Sequence, residues 1–335
     1  MRLDYDIDRE SVDAKQRDAF RKEVQDWDQG IFVAQFNLAR DLAEGVGEAV
    51  IKLLTDRFLR TKIESRIAEA DAVSSLLQQE RPHAVGDVQV PRLLSAAVTK
   101  REAVLFAGAG ISAAAGLPSA GVFSSAVARV IRECVPDYGV SPVASMFSAI
   151  ASDVEAFASR ELLVHEVKSI VNPPHGLQPT TAHQAAVRLF DLILTSNWDA
   201  LFERAAEAAG IDLPIIIGEI SDPLPTRCLV KLHGTPEEPE SLMLSEDDIL
   251  LMDKTRKRLC EEVRSVLKNR ILVVIGSSLR DPSIVKLFIE AAPQCQNYFI
   301  SPSITDASTA RLRKWNFTPI VADADSFMKA LATGV

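Results

Sequence analysis

Short, continuous apolar runs alternate with helical stretches along the chain beyond residue 90. Strands that are apolar on both faces are typical of a parallel sheet that helices cover on both sides. Their alternation with helices predicts an α/β fold built on a Rossmann-like, doubly wound parallel sheet. The predicted strands are 103–106, 192–195, 213–217, 228–232, 271–275 and 298–300, with predicted helices at 199–209, 246–268 and 282–291.

The sequence divides into two predicted parts. Residues 1–90 are predicted to be a helical N-terminal region, with apolar residues at helical spacing from Phe32 to Phe58 and a linker at 81–90. Residues 91–335 are predicted to form the α/β domain, with a helical insertion at about 120–188. The apolar stripe of the N-terminal region must be buried, either on its own core or in an oligomer or partner interface.

Charge and composition exclude several classes of function. A net charge of −9 argues against direct binding to nucleic acid, which needs a basic surface. No apolar run is long enough to span a bilayer, and the first residues lack a secretory signal, so we expect a cytoplasmic protein without membrane contact. The four cysteines form no CxxC pair, which argues against a zinc ribbon or a redox dithiol.

A glycine-rich loop follows the first predicted strand and enters a helix within residues 104–118. Gly108 permits the tight turn, Gly110 allows backbone amides to approach a pyrophosphate, and Ala113 takes the close-packing position of the GxGxx[G/A] pattern. The pattern alone fits a plain glycine turn as well as a dinucleotide loop. The acidic residue expected about twenty residues later in a dehydrogenase is missing.

The longer string GAGISAAAGLP resembles the first signature of the sirtuin superfamily, GAGxSxxxGxP. The matching residues are Gly108, Ala109, Gly110, Ser112, Gly116 and Pro118. In that family this loop holds the phosphates of NAD and lines the nicotinamide pocket. The resemblance therefore implies that NAD is bound here.

The segment TSNWD at 195–199 resembles the TQNID motif of sirtuins, most closely the TTNYD form of their prokaryotic defence branch. The resemblance places Asn197 and Asp199 at the nicotinamide ribose and the reacting water. An alternative for Asp199 is an Asx turn that caps the helix beginning near Ala200. That alternative leaves Asn197 unexplained.

The segment KLHG at 231–234 resembles the sirtuin His-Gly motif, again in its defence-branch form, and makes His233 the candidate base. Histidine has a pKa near neutrality, so it can accept a proton from a hydroxyl or a water molecule. We expect His183 to pack or to cap a helix near the pocket. The other histidines, His83, His165 and His175, are interpreted as surface or loop residues.

The segment Gly276-Ser277-Ser278-Leu279 resembles the sirtuin GTSL motif, which contacts the adenosine ribose and the phosphates. Ser301 ends the next predicted strand, where the family reaches the adenosine. Asp281 is predicted to be the N-cap of the following helix and to have no further role.

The sequence departs from protein-deacylating sirtuins in two places. Residues 235–270 contain one cysteine, Cys260, where those enzymes carry the two CxxC pairs of a zinc module. Ser119 and its neighbours replace the DFR that follows the first signature. The resemblance thus implies an NAD hydrolase that needs no metal and consumes NAD as its substrate, with Asn197 orienting water, Asp199 holding the ribose and His233 accepting a proton.

Two alternatives stay open, and the defence branch suggests partners. A zinc-free, NAD-dependent protein deacylase would need an acylated peptide, and a non-catalytic sensor of NAD or ADP-ribose would need neither Asn197 nor His233. An NAD hydrolase endangers its host, so the resemblance implies an antiviral defence effector that is gated. Gating is expected through a homo-oligomer, a HerA-type ATPase or a short Argonaute partner.

Overall fold

The computed structural model describes residues 88–118, 120–135, 147–173 and 176–335. The helical region predicted at the N-terminus lies outside these residues, except for 88–90 at the end of its linker. His83 and His175, which we interpreted as surface or loop residues, also lie outside the described residues.

Seven parallel strands form one sheet in the described part of the chain. They are β1 (Ala103–Ala107), β2 (Leu192–Thr195), β3 (Ile215–Ile217), β4 (Cys228–Lys231), β5 (Ile271–Ile275), β6 (Asn297–Ser301) and β7 (Phe317–Val321). The strand order is β3-β4-β2-β1-β5-β6-β7, so β2 and β5 flank β1 on opposite sides. Without β3, this is the order of the doubly wound dinucleotide fold, and the predicted fold class is confirmed.

Helices connect the strands. They are α1 (Arg92–Thr99), α2 (Ala120–Cys134), α3 (Phe147–Phe157), α4 (Arg160–Val171), α5 (Thr181–Leu189), α6 (Leu201–Ala209), α7 (Glu246–Leu250), α8 (Met252–Thr255), α9 (Lys257–Asn269), α10 (Pro282–Ala291), α11 (Asp306–Lys314) and α12 (Ala324–Thr333). A 3-10 helix, Ala109–Ala115, follows β1. None of the helices in the described residues is long and apolar enough to cross a membrane.

The sheet is buried because helices cover both of its faces. Successive side chains of β1 point in opposite directions, Leu105 into one core and Val104 and Phe106 into the other. Helices α1, α5, α6 and α12 pack on the first side, and α8 to α11 pack on the second. Burial of each such side chain contributes about 1.5–3 kcal/mol, which explains why both faces of the strands are apolar.

The predicted elements are most accurate where the apolar run is unbroken. Strands 192–195 and 271–275 and helix 282–291 have the predicted bounds. The helix predicted at 246–268 is three helices, α7 to α9, because Leu251 and Arg256 leave helical geometry. Strand β7 was not predicted, because it is an edge strand whose apolar run is interrupted by Thr318 and Pro319.

All regular structure described within 120–188 is helical, as predicted for the insertion. Helices α2, α3 and α4 pack on one another, and Phe123 contacts Phe147 edge-to-face with ring centroids 5.4 Å apart. Helix α5 instead buries Ala186 and Val187 in the core beside β1 and β2. The insertion therefore ends before α5, which is a crossover helix of the sheet.

Two glycine-containing loops are in direct backbone contact where β1 and β5 end. Gly108 N donates to Ile275 O at 2.9 Å, and Gly110 N donates to Gly276 O at 2.8 Å. A Cβ on Gly108 or Gly110 would lie 2.7 or 2.9 Å from Gly276 backbone atoms, and one on Gly276 would lie 2.3 Å from Ile111 N. Contact between the loops therefore requires glycine at these positions, apart from any ligand.

The substitution Gly276→Ala is expected to lower the unfolding free energy by more than the cost of a left-handed alanine alone. A left-handed residue other than glycine costs about 1–2 kcal/mol, and Gly276 adds a steric clash to its φ of +69°. Gly210→Ala is the matched control, because Gly210 has φ +64° and open space around it. Urea unfolding should show the larger loss of unfolding free energy in Gly276→Ala; equal losses would contradict the tight contact.

Candidate active site

The segments identified in the sequence lie together where four adjacent strands end. Strands β4, β2, β1 and β5 are consecutive in the sheet, and each is followed by one such segment. Because the strands are parallel, all four segments lie at the same edge of the sheet, where the strands have their carboxyl ends. The segments are 231–234, 197–199, 108–112 and 276–279. Open α/β sheets bind their ligands at this edge, next to the point where the chain changes direction across the sheet.

Ser112 is the centre of a buried hydrogen-bond network. Its hydroxyl is inaccessible to solvent and donates to Asp199 Oδ2 at 2.9 Å. The same oxygen accepts from Asn197 Nδ2 at 3.2 Å and lies 3.3 Å from His183 Nε2. Ser112 thereby joins the 3-10 helix to α5 and to the loop after β2.

His183 is held as a neutral imidazole in one tautomer. Thr180 N donates to His183 Nδ1 at 3.3 Å, so Nδ1 carries the lone pair and Nε2–H points to Ser112. Burial lowers the pKa of His183 to about 4, against the opposing charges of Asp199 and Asp325. The predicted packing and capping role is confirmed, because His183 and Thr180 form a capping box at the start of α5.

Asn197 presents an unused acceptor. Its Nδ2 donates to Gly108 O at 3.3 Å and to Ser112 Oγ, and because Gly108 O can only accept, the amide orientation is fixed. Its Oδ1 is buried and accepts no hydrogen bond from any residue that the structure describes. This oxygen can accept a hydrogen bond from an N–H or O–H donor beyond the described residues.

Asp199 makes the predicted Asx-type contact, and its contact with the nicotinamide ribose stays a prediction. Its Oδ1 accepts from Leu201 N at 3.1 Å, which is the Asx-type contact at the start of α6. Its Oδ2 accepts from Ser112 Oγ. The side chain is buried, so Asp199 both caps the helix and contributes a carboxylate to the Ser112 network.

Lys231 supports the site, and the sequence analysis gave it no role. Its ammonium group is buried, donates to Asp199 O at 2.9 Å and pairs with Glu203 Oε1 at 2.8 Å. A buried lysine must be paired, and this one fastens the loop after β2 to the end of β4. The available signal was a lysine at the end of an otherwise apolar strand.

His233 follows β4 and faces the start of α10. Its Nε2 lies 3.3 Å from Asp281 Oδ2 and 3.4 Å from Ser283 Oγ. Its backbone carbonyl accepts from Trp198 Nε1 at 3.1 Å, which links this loop to the one after β2. Burial lowers the pKa of His233, although the Asp281 carboxylate opposes the shift. The imidazole is therefore neutral at pH 7 and able to accept a proton.

Asp281 does more than the sequence predicted. It is the N-cap of α10, as expected, since its Oδ1 accepts from Ser283 N at 2.9 Å. The expectation that it has no further role is wrong, because its other oxygen contacts His233. The local sequence predicts a helix cap, but it cannot predict a contact with His233, which follows a different strand.

Two of the predicted binding residues lie beside these networks. Gly116 ends the 3-10 helix with φ +96° and open space around it, so the backbone conformation alone explains a glycine there. Ser301 Oγ donates to Ser303 O at 2.9 Å, a local contact at the end of β6. Their contact with NAD stays a prediction.

The GSSL segment contacts the glycine loop through its backbone. Ser277 Oγ accepts from Leu279 N at 3.1 Å, and Ser277 Cα would lie 2.8 Å from a Cβ on Gly108. Ala109 and Ser278 are exposed at the same edge. Hydrogen bonds thus join Gly108, Ser112, Asn197 and Asp199, while His233 belongs to a second cluster with Asp281 and Ser283.

One family model matches part of the chain. Residues 191–320 match the model of the SIR2-like domain. The matched stretch contains Asn197, Asp199, His233 and Gly276, and it begins after the glycine loop that follows β1. No curated protein matches the sequence.

Solved structures of Sir2 proteins are similar to the chain at low identity. A Sir2 homolog–NAD complex is 14% identical, over 76% of this chain and 98% of that chain, with a TM-score of 0.43. A mutant Sir2 homologue in complex with ADP ribose is 17% identical, over 73% and 96% of the two chains, with a TM-score of 0.44. A Sir2 protein bound to a propionylated peptide is 15% identical, over 72% and 97%, with a TM-score of 0.45.

Acidification is expected to destabilise the fold in a window set by His183. Its pKa is about 4 in the folded protein, and unfolded histidine titrates near about 6.5, so the unfolded chain binds more protons between these values. Protonation of this histidine in the unfolded chain should lower the unfolding free energy by up to about 1.4 kcal/mol for each unit that the pH falls within the window. Urea unfolding between pH 7 and pH 4 measures the slope.

The substitution His183→Gln should make that slope shallower. His165→Gln, on the exposed surface of α4, is the matched control and should keep the wild-type slope. An identical slope in wild type and His183→Gln would show that the buried imidazole is not the group that titrates.

Proposed function

We propose that the chain hydrolyses NAD at the bond between nicotinamide and ribose, giving nicotinamide and ADP-ribose. The observation that carries this proposal is the unused acceptor of Asn197, whose Oδ1 is buried without a partner among the described residues. Such an atom costs about 1–3 kcal/mol of stability, so a donor other than the described residues is expected to satisfy it. A bound hydroxyl or the reacting water fits this requirement.

The reaction needs positioning and charge stabilisation. The glycosidic bond breaks with its electron pair going to the nicotinamide nitrogen, and oxocarbenium-like charge develops on the ribose, as in glycoside hydrolysis. Water oriented by Asn197 then adds to the anomeric carbon, and its proton passes to the neutral imidazole of His233. Asp199 supplies a buried carboxylate to the network that holds Asn197.

The identity of the residues at the strand ends supports this proposal. The SIR2-like match contains the Asn197 and His233 loops, which carry the two groups assigned to the water and its proton. His233 is neutral at pH 7 because burial lowers its pKa. A ligand-binding module without catalysis could use the amide oxygen to hold a ligand hydroxyl, but it would not need a neutral base at His233.

Water is the proposed acceptor because residues 235–270 offer no set of zinc ligands. Their one cysteine, Cys260, is buried in α9, where burial raises the pKa of its thiol to about 11. Zinc is bound by thiolates, and a protonated thiol of the core is a packing residue. The resemblance implies that a zinc module would occupy this interval of the sequence, and here the interval contains α7, α8 and α9.

Purified protein incubated with NAD is expected to release nicotinamide without an acylated peptide. Asn197→Ala and His233→Ala should each lower turnover by about a hundredfold or more, since a positioned acid–base group contributes about 10²–10⁴ in rate. His165→Ala removes an exposed histidine of α4 and should retain wild-type turnover. Chromatographic quantification of nicotinamide and ADP-ribose measures all four proteins.

A second arm with an acetylated peptide separates the alternatives. Release of nicotinamide only in the presence of the peptide would establish a zinc-free deacylase and contradict the hydrolase. Binding of NAD or ADP-ribose without turnover, in every oligomeric and partner-bound state, would establish a sensor. NADP in place of NAD tests which dinucleotide is preferred.

Turnover is expected to follow the ionisation of His233. The base acts only when neutral, so kcat should be constant above its pKa and fall as the pH drops through it. Because burial lowers the pKa of His233, the midpoint of this acid limb should lie below the ordinary imidazole value of about 6.5. A pH–rate profile from pH 4.5 to 8.5 measures the midpoint, and a value above 6.5 would contradict a buried base.

The cellular role and the partners are proposed from the resemblance to the defence branch of the sirtuins. We propose a cytoplasmic antiviral effector whose activity is gated by homo-oligomer formation or by a partner, with a HerA-type ATPase or a short Argonaute as the expected partner classes. The N-terminal region predicted to make such contacts lies outside the described residues.

A further inference from the structure

Asp281 uses its two carboxylate oxygens for different tasks. Oδ1 caps α10 by accepting from Ser283 N at 2.9 Å and Ile284 N at 3.4 Å, and it also accepts from Ser283 Oγ at 2.7 Å. Oδ2 lies 3.3 Å from His233 Nε2. Capping a helix requires one side-chain oxygen, so the second is free to act on the imidazole.

The contacts around His233 define which of its nitrogens carries the proton. The hydroxyl proton of Ser283 is committed to Asp281, so Ser283 Oγ turns a lone pair toward Nε2 at 3.4 Å. Asp281 Oδ2 lies 3.3 Å from the same nitrogen, close enough for its charge to act on the ring. An acceptor at hydrogen-bond distance from Nε2, with a carboxylate oxygen beside it, favours a hydrogen on this nitrogen, and a neutral imidazole then has its lone pair on Nδ1.

The other charged groups that influence His233 are engaged elsewhere. Arg256, at the junction of α8 and α9, donates its guanidinium hydrogens to backbone carbonyls that include that of Leu232. Asp248 on α7 pairs with Arg160 at 3.0 Å. Within the described residues, Asp281 is the carboxylate in contact with the imidazole.

We propose that Asp281 is a positioning residue that fixes His233 in the Nε2–H tautomer and makes Nδ1 the proton acceptor of the site. Its carboxylate also stabilises the imidazolium that forms when the proton is taken up, as carboxylates paired with catalytic histidines do in general. The part of this proposal that concerns turnover rests on the proposed function. The part that concerns the tautomer does not.

The substitution Asp281→Asn separates positioning from capping. Asparagine caps a helix as well as aspartate, but its amide can donate to Nε2 and favour the opposite tautomer. We expect kcat for NAD hydrolysis to fall by about a hundredfold or more, because replacement of a histidine-orienting aspartate by asparagine produces the wrong tautomer and losses of this order or larger. KM should stay within about threefold, because Asp281 is not proposed to contact the substrate.

Nitrogen-15 NMR of protein labelled in its histidine rings reports the tautomer directly at pH 7.5, whether or not NAD is consumed. The His233 signals are identified by their loss in His233→Gln. Wild type is expected to show a protonated Nε2 and an unprotonated Nδ1. Asp281→Asn is expected to show the reverse, or a mixture of the two.

Asp323→Asn is the matched control. Asp323 caps α12 by accepting from Ser326 N at 2.9 Å, so its substitution tests the same capping change in another helix. It should leave kcat, KM and the His233 signals unchanged, and melting temperatures of both variants show whether the caps survive.

The outcomes separate this proposal from the proposed function. A wild-type spectrum with a protonated Nδ1 overturns the proposal, and so does wild-type kcat in Asp281→Asn. If wild type hydrolyses NAD in no oligomeric or partner-bound state but shows Nε2–H that Asp281→Asn removes, the proposed function is wrong and the positioning role stands.

Discussion

Backbone contact between the loops after β1 and β5 sets the geometry on which the candidate site depends. Gly110 N donates to Gly276 O, and side-chain-free backbone on both sides allows an approach that any Cβ would prevent. This contact fixes the start of the 3-10 helix, which carries Ser112 toward the loop after β2. The strands are buried between two apolar layers, so the sheet is rigid. The glycines then allow the two loops to approach closely at the strand ends.

A buried polar network on this frame is stable only if its members satisfy one another. Ser112, His183 and Asp199 do so, since each hydrogen bond among them pairs a donor with an acceptor. Asn197 is the exception, with one oxygen left without a partner in the described residues. Departures from local satisfaction are expected at functional sites, where a ligand or the reaction supplies the missing group.

Two buried histidines differ in how their ring nitrogens are engaged within the chain. Burial lowers the pKa of both His183 and His233. Both ring nitrogens of His183 are hydrogen-bonded within the chain, to Thr180 and to Ser112, so its proton is held in place. His233 faces a carboxylate through one nitrogen, an arrangement that orients an imidazole for proton transfer.

The sequence by itself determined the fold class, most of the strands and the residue types at their carboxyl ends. These follow from short-range signals: continuous apolar runs for buried parallel strands, and glycine, asparagine and histidine where each strand ends. Tertiary structure decided the breaks in 246–268, the edge strand β7, and the contacts that Lys231, Asp281 and His233 make. Each depends on partners that the strand order brings together: β4 and β5 are separated by two strands, yet the residues that follow them meet at the sheet edge.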